Sequence, residues 1–120
     1  MLINLTNHPS ANWDVAQLQA AAHYGEIVDI PFPVIDAESD ENSIETLVNE
    51  YLVQISELAK NNQITVHIMG EMTFCFGLIA ALSLQGIVCI ASTSERDVIE
   101  TATGQKQVNF NFVRFRKYNL

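Results

Sequence analysis

The chain has 120 residues, 48% of them hydrophobic and 17% charged, which fits one domain over 1–120 with a buried core and excludes intrinsic disorder. Six Lys plus Arg against fourteen Asp plus Glu leave a formal net charge of -8. That balance argues against long duplex nucleic acid as a partner. It leaves small anions open, since helix N-termini and backbone amides hold phosphate without a basic surface.

Leu2 to Thr6 reads as a first strand, and the turn formers Asn7, His8, Pro9 and Ser10 follow it as a polar loop. Asn12 is placed to cap a helix whose Val15, Leu18 and Ala22 share a face, with Gly25 as its stop. Glu26 to Ile30 is a short second strand ended by Pro31 and Pro33. After an acidic stretch, Ile44, Leu47, Val48, Tyr51, Leu52, Ile55 and Leu58 trace one helical stripe. Gln63 to Ile68 is the third strand. The spacing then predicts a helix over Phe74 to Gln85, capped by Thr73 and buried because it is apolar on nearly every side.

Ile87 to Ala91 forms a fourth strand, followed by the polar stretch Ser92 to Arg96 as a strand-end loop. Two further runs, Val98 to Ala102 and Lys106 to Tyr118, flank Gly104 and read as a β-hairpin. Within it Val113 directly follows Phe112 and breaks the alternation, which implies either a bulge or burial on both faces. The order of elements predicts an α/β fold: an open, mainly parallel Rossmann-like sheet with helices on both faces and a C-terminal antiparallel β-hairpin.

Cys75 and Cys89 sit in apolar runs away from any metal-ligand spacing, so buried free thiols are expected, with no metal and no cofactor. The N-terminus lacks a basic leader and a small-residue cleavage site, and Met72 to Leu84 is shorter than the roughly 20 residues of a membrane span. A cytoplasmic protein without a membrane role is the expectation.

Open parallel sheets bind ligands beyond the carboxyl ends of their strands. In the first such loop, His8 is a candidate general acid or base, with Asn7, Ser10 and Asn12 as hydrogen-bond donors; a solvated turn is the alternative. At the end of the third strand, Gly70 permits close backbone approach, and the amides around Glu71, Met72 and Thr73 could meet an anion. The alternative is a turn that needs Gly70 for a positive φ. Ser92, Thr93 and Ser94 offer hydroxyls, and Arg96 a cation, for a phosphodiester or ribose; an ordinary hydroxyl-rich loop is the alternative. Lys106, Arg114, Arg116 and Lys117 gather in the hairpin, where they could steer an anion, pair subunits or protect an edge strand. His23 and His67 read as structural. A G-x-G-x-x-G fingerprint, a Walker lysine, C-x-x-C and G-x-S-x-G are all absent, which removes the sites built on them.

Taken together, Asn4-Leu5-Thr6-Asn7-His8-Pro9, Gly70-Glu71-Met72-Thr73-Phe74, Ala91-Ser92-Thr93-Ser94-Glu95-Arg96 and Phe112-Val113-Arg114-Phe115-Arg116 resemble small stand-alone proteins encoded beside type III CRISPR systems. Those proteins are similar to the CRISPR-associated Rossmann fold. The resemblance implies a homodimer that binds cyclic oligoadenylate, cyclic tetra-adenylate foremost, across a two-fold cleft of strand-end loops. Some members are ring nucleases, in which a ribose 2′-hydroxyl attacks its own phosphodiester without a metal. On that likeness the ligand contacts would be Asn7, Ser10, Gly70, Glu71, Met72, Thr73, Ser92, Thr93 and Ser94, with His8 as acid or base and Arg96 as phosphate clamp. Two other readings remain: a non-catalytic nucleotide-binding module that regulates or sequesters, and an interaction subunit whose hairpin edge pairs with a partner strand.

Overall fold

A computed structural model describes residues 1–119. Five strands form one sheet in the order β2-β1-β3-β4-β5, with β1 at Leu2–Leu5, β2 at Ile27–Asp29, β3 at Thr65–Ile68, β4 at Val88–Glu100 and β5 at Lys106–Lys117. The first four are parallel, and β5 returns antiparallel along β4. Helix α1 spans Val15–Ala21, α2 Glu41–Ala59 and α3 Met72–Leu84. The expected α/β architecture with a C-terminal hairpin is thus the observed one.

Alternation along the strands separates two cores. Ile3, Leu5, Val66, Ile68 and Cys89 point to one face, where α2 and α3 contribute Val48, Ile55, Phe74, Leu78 and Leu82. On the other face Leu2 and Ile90 meet Trp13, Ala21 and Phe115 beneath α1. Each fully buried Leu, Ile or Phe side chain on these faces stabilises by about 1.5–3 kcal/mol. No helix among the described residues is long and apolar enough to cross a membrane. Cys75 and Cys89 are buried free thiols, both pushed up to about 11 by burial, with the Glu71 charge adding to Cys75.

Several local expectations need correction. Helix α1 is capped by the Asp14 carboxylate, which accepts from Gln17 N–H, while Asn12 belongs to a short 3-10 turn before it. Its inward residues are Gln17 and Ala21, and Val15 and Leu18 are exposed, because the helix meets the sheet through Trp13 and Phe115 rather than through its own aliphatic stripe. Glu71, not Thr73, caps α3. That helix also buries only one side: Met72, Phe76 and Leu84 face outward, away from the sheet and α2.

The largest difference is at Ser92 to Arg96, expected as a loop but found inside β4. The hydroxyl-bearing and charged side chains there suit a ribbon solvated on its edges, and the backbone pairs with β5 from Ile90↔Lys117 to Glu100↔Lys106. One irregularity interrupts the ladder: Thr93 faces Arg114 and Ser94 faces Phe112, so Val113 is the extra residue of a β-bulge. Of the two alternatives for this segment, the bulge is the correct one.

Gly70 is required for a different reason than a positive φ, which it does not have. A Cβ there would stand 2.3 Å from the Phe32 ring, which itself packs edge-on against Phe74 with centroids 5.3 Å apart. Gly70→Ala should therefore expel Phe32 from Phe74 and cost about 1–3 kcal/mol in urea unfolding. In a Phe32→Ala background the same change should cost much less; equal losses in both backgrounds would contradict a clash with that ring.

Candidate functional site

One buried amide organises the carboxyl ends of the parallel strands. Asn4, 1% exposed in the middle of β1, donates from Nδ2 to Asp29 Oδ1 at 2.8 Å and to the His8 carbonyl at 3.0 Å. Its Oδ1 accepts from the Thr6 hydroxyl at 2.9 Å and lies 3.0 Å from His67 Nδ1. Every hydrogen-bonding position of the amide is filled, as burial demands. Asp29 completes the arrangement by accepting from Ser10 Oγ at 2.7 Å and Ser10 N–H at 3.2 Å. Burial would raise the Asp29 carboxyl, but the Ser10 hydroxyl, the Asn4 amide and the Ser10 N–H hold it below its usual range.

This network fixes the loop after β1. The His8 carbonyl accepts from Asn4 Nδ2 and from Trp13 Nε1 at 3.0 Å, and the His8 N–H donates to the Thr6 hydroxyl at 3.1 Å. With its backbone held that firmly, the His8 side chain is presented to two adjoining pockets. The first, about 400 Å³, lies between the loop, α1 and the hairpin, and is lined by His8, the Asp14 carboxylate, Gln17, Ser92, Ser94 and Phe110. The second, about 370 Å³, lies at the ends of β1 and β3 and is lined by Asn7, His8, Gln17, His67 and Gly70. Its place is where the strand order reverses, between β1 and β3, the position at which open α/β sheets hold ligands.

His67 is 2% exposed, and its ring packs edge-on against Trp13 and Phe115. Because the Asn4 amide nitrogen is committed to a carboxylate and a carbonyl, which only accept, Oδ1 must face His67. Nδ1 therefore carries the proton. Nε2 is left with a lone pair and has no partner among the described residues.

The structure brings together only part of the set expected from sequence. His8, Ser92, Thr93 and Ser94 line the first pocket, and Asn7, Gly70 and Ser92 the second. Within that group the Thr93 hydroxyl is engaged across the bulge, accepting from Arg114 N–H and donating to the Arg114 carbonyl, while the Ser92 hydroxyl lies against Met69 Sδ at 3.2 Å. Ser10 is turned away to Asp29. The start of α3 is self-satisfied: the Glu71 carboxylate takes the N–H groups of Thr73 and Phe74 and the Thr73 hydroxyl, leaving those donors no free capacity for an anion. Met72 faces outward. Arg96 stands opposite Phe110 on the hairpin and lines neither pocket.

Asn4, Asp29, Gln17 and His67 were not singled out as site residues by sequence reasoning. The available signal was a polar residue inside each short apolar strand, Asn4 in β1 and His67 in β3, facing one another in register. A separate groove of about 490 Å³ runs between α2 and α3, but Asp40, Glu41 and Glu45 make its rim acidic and unsuited to an anionic ligand. Among the described residues no cluster of three or more His, Cys, Asp or Glu could hold a metal ion.

The sequence model of the uncharacterized protein MJ1673 family matches residues 1–116, and the chain belongs to that family. No curated protein matches it.

Burial, with the His8 charge second, lowers the His67 imidazole from 6.5 to about 4. The unfolded chain binds a proton at His67 below pH 6.5, whereas the folded chain does so only near 4, so stability present above 6.5 is lost as pH falls through that window. Urea unfolding should show roughly 2 kcal/mol less stability at pH 5 than at pH 7.5, and His67→Phe should flatten the difference. A wild-type profile already flat over that range would contradict a buried neutral His67.

Proposed function

We propose that this member of the MJ1673 family binds a cyclic oligoadenylate, cyclic tetra-adenylate foremost, in the strand-end cleft and opens the ring there, damping type III CRISPR signalling. The observation that carries the reading is the pair of adjoining pockets, one of them at the β1/β3 switch point, with His8 lining both. Phe110, 68% exposed beside the first pocket, offers a face on which a base can stack. The sheet bulge supports the same site. It puts Phe112 and Phe115 on one side of the ribbon, so that Phe112 lines the pocket while Phe115 packs beneath it.

Ring opening needs orientation more than a large catalytic apparatus. Attack of a ribose 2′-oxygen on the adjacent phosphorus breaks the bond to O5′ and leaves a 2′,3′-cyclic phosphate and a 5′-hydroxyl. His8 takes the proton from the 2′-hydroxyl or returns one to O5′. Lys106, Arg114, Arg116 and Lys117 on the hairpin make no ion pair among the described residues and supply a steering field for an anion. Val98, Val108 and Phe110 are exposed on one face of the same ribbon, an apolar surface of the kind a second copy covers, and the reading takes the protein as a homodimer.

A sequestering module that keeps the ring intact is the second reading. Arg96 outside both pockets and Glu71 across the α3 amides favour it, because they leave a scissile phosphate without a cation or free helix N-terminus from the same copy.

Titration calorimetry with cyclic tetra-adenylate, followed by chromatography of the same sample, tests both. Saturable binding with linear products supports ring opening, and binding with an intact ring supports sequestration. His8→Ala should lower turnover at least about tenfold with binding changed less than about threefold. Neither binding nor turnover with tri-, tetra- or hexa-adenylate would overturn the reading.

A further inference from the structure

Past the pockets, the β4–β5 ribbon becomes an arm with no body beneath it. Every residue of β4 from Ser94 to Glu100 is exposed, and between Ser94 and Asn111 no residue joins either core. The radius of gyration, 16.2 Å, exceeds the roughly 14 Å of a compact chain of this length. A two-stranded ribbon alone in water is only marginally stable, so an arm of this kind calls for a surface to lie on.

One face of the arm is built for such a contact. Register and alternation put Arg96, Val98 and Glu100 on that face, with Phe110, Val108 and Lys106 directly opposite them. Val98, Val108 and Phe110 form an exposed apolar row there. Arg96 and Lys106 bracket the row, and Glu100 is the one acid beside it.

The groove between α2 and α3 is the complement of this face. Ile44, Val48, Gly77 and Ala81 make its floor, within a volume of about 490 Å³, and Asp40, Glu41 and Glu45 make its rim. Gly77 leaves the floor without a side chain, where a Cβ would stand 3.2 Å from Val48 Cγ2. The sole ion pair among the described residues joins Lys60 to Glu57, so neither the two arm cations nor the three rim acids have a counter-ion. An apolar row flanked by cations thus matches an apolar floor flanked by acids.

We propose that a second copy of this chain fills the groove: the arm of each copy lies between α2 and α3 of the other, with Val98 and Val108 on the floor and Arg96 and Lys106 at the acidic rim. Two different surfaces meet, so a two-fold axis makes the contact reciprocal and closes the assembly as a dimer. Of the nucleotide reading above, the inference uses only the second copy. Phe110, where the row reaches the first pocket, then marks the border between the dimer contact and the ligand cleft.

Sedimentation velocity without nucleotide tests the exchange. Wild-type protein should be a dimer at about 100 μM. Reversing the arm charges, Arg96→Glu with Lys106→Glu, or the rim charges, Glu41→Lys with Glu45→Lys, should each raise the dimer Kd at least about tenfold. An equimolar mixture of the two variants should recover the dimer, since each arm then meets a rim of opposite sign. Should the double rim reversal unfold α2, Glu45→Lys alone takes its place. A monomeric wild type, an assembly larger than a dimer, a rim variant that dimerises like wild type, or a mixture that stays monomeric would each overturn the proposal. No nucleotide enters this measurement, so ring binding stands or falls separately by calorimetry.

Discussion

A single side chain, the Asn4 carboxamide, joins three parallel strands and the first strand-end loop. Its four contacts reach Asp29 on β2, His67 on β3, and Thr6 and His8 of the loop after β1. An amide buried in an otherwise apolar strand is tolerated only when fully paired, because each unpaired group costs about 1–3 kcal/mol of desolvation. Here full pairing requires β2, β3 and the loop to be in place together. The consequence is a loop whose backbone is set by the sheet, with the His8 carbonyl held by two donors and the His8 N–H by the Thr6 hydroxyl.

The two faces of the sheet divide the work. On the side of α2 and α3 the core is continuous and apolar, from Ile3 and Leu5 to Phe74, Leu78 and Leu82, and provides stability without chemistry. The α1 side is thinner: Trp13 and Phe115 frame His67, and α1 turns Gln17 toward the pockets rather than an aliphatic stripe toward the sheet. The bulge at Val113 belongs to the same design. In a regular strand Phe112 and Phe115 would point to opposite faces, whereas the extra residue brings their rings to 4.9 Å.

Much of the fold was legible in the sequence. The stripe from Ile44 to Leu58 specified α2, and the order of strand-like and helical segments specified a parallel sheet ending in a hairpin. What escaped had physical causes. Ser92 to Arg96 resembles a loop by composition, but hydroxyl side chains are equally at home in a solvated ribbon, and only pairing with β5 makes it a strand. Caps were misplaced by two residues, from Asn12 to Asp14 and from Thr73 to Glu71, since Asp, Asn, Thr and Glu can all accept from helix amides and local spacing alone does not choose. For the cleft, His8 and Ser92 to Ser94 were visible as loop-type chemistry, whereas Gln17 and His67 were hidden because packing, not local pattern, puts them on a pocket wall. Sequence states a residue's capacity for hydrogen bonds, and folding decides which capacity remains unspent.

The central claim is that the ends of β1 and β3, with Ser92 to Ser94 inside β4, form the ligand site, rather than the acidic groove between α2 and α3 or the exposed apolar side of α3. Amide chemical-shift mapping during titration with cyclic tetra-adenylate tests it most directly. Shifts centred on Asn7, His8, Gln17, Met69 and Ser92 to Ser94, with Thr73 and Phe74 little changed, are the expected result. Shifts centred on Asp40 to Glu45 or on Phe76 and Leu84, or a spectrum unchanged at millimolar ligand, would contradict it.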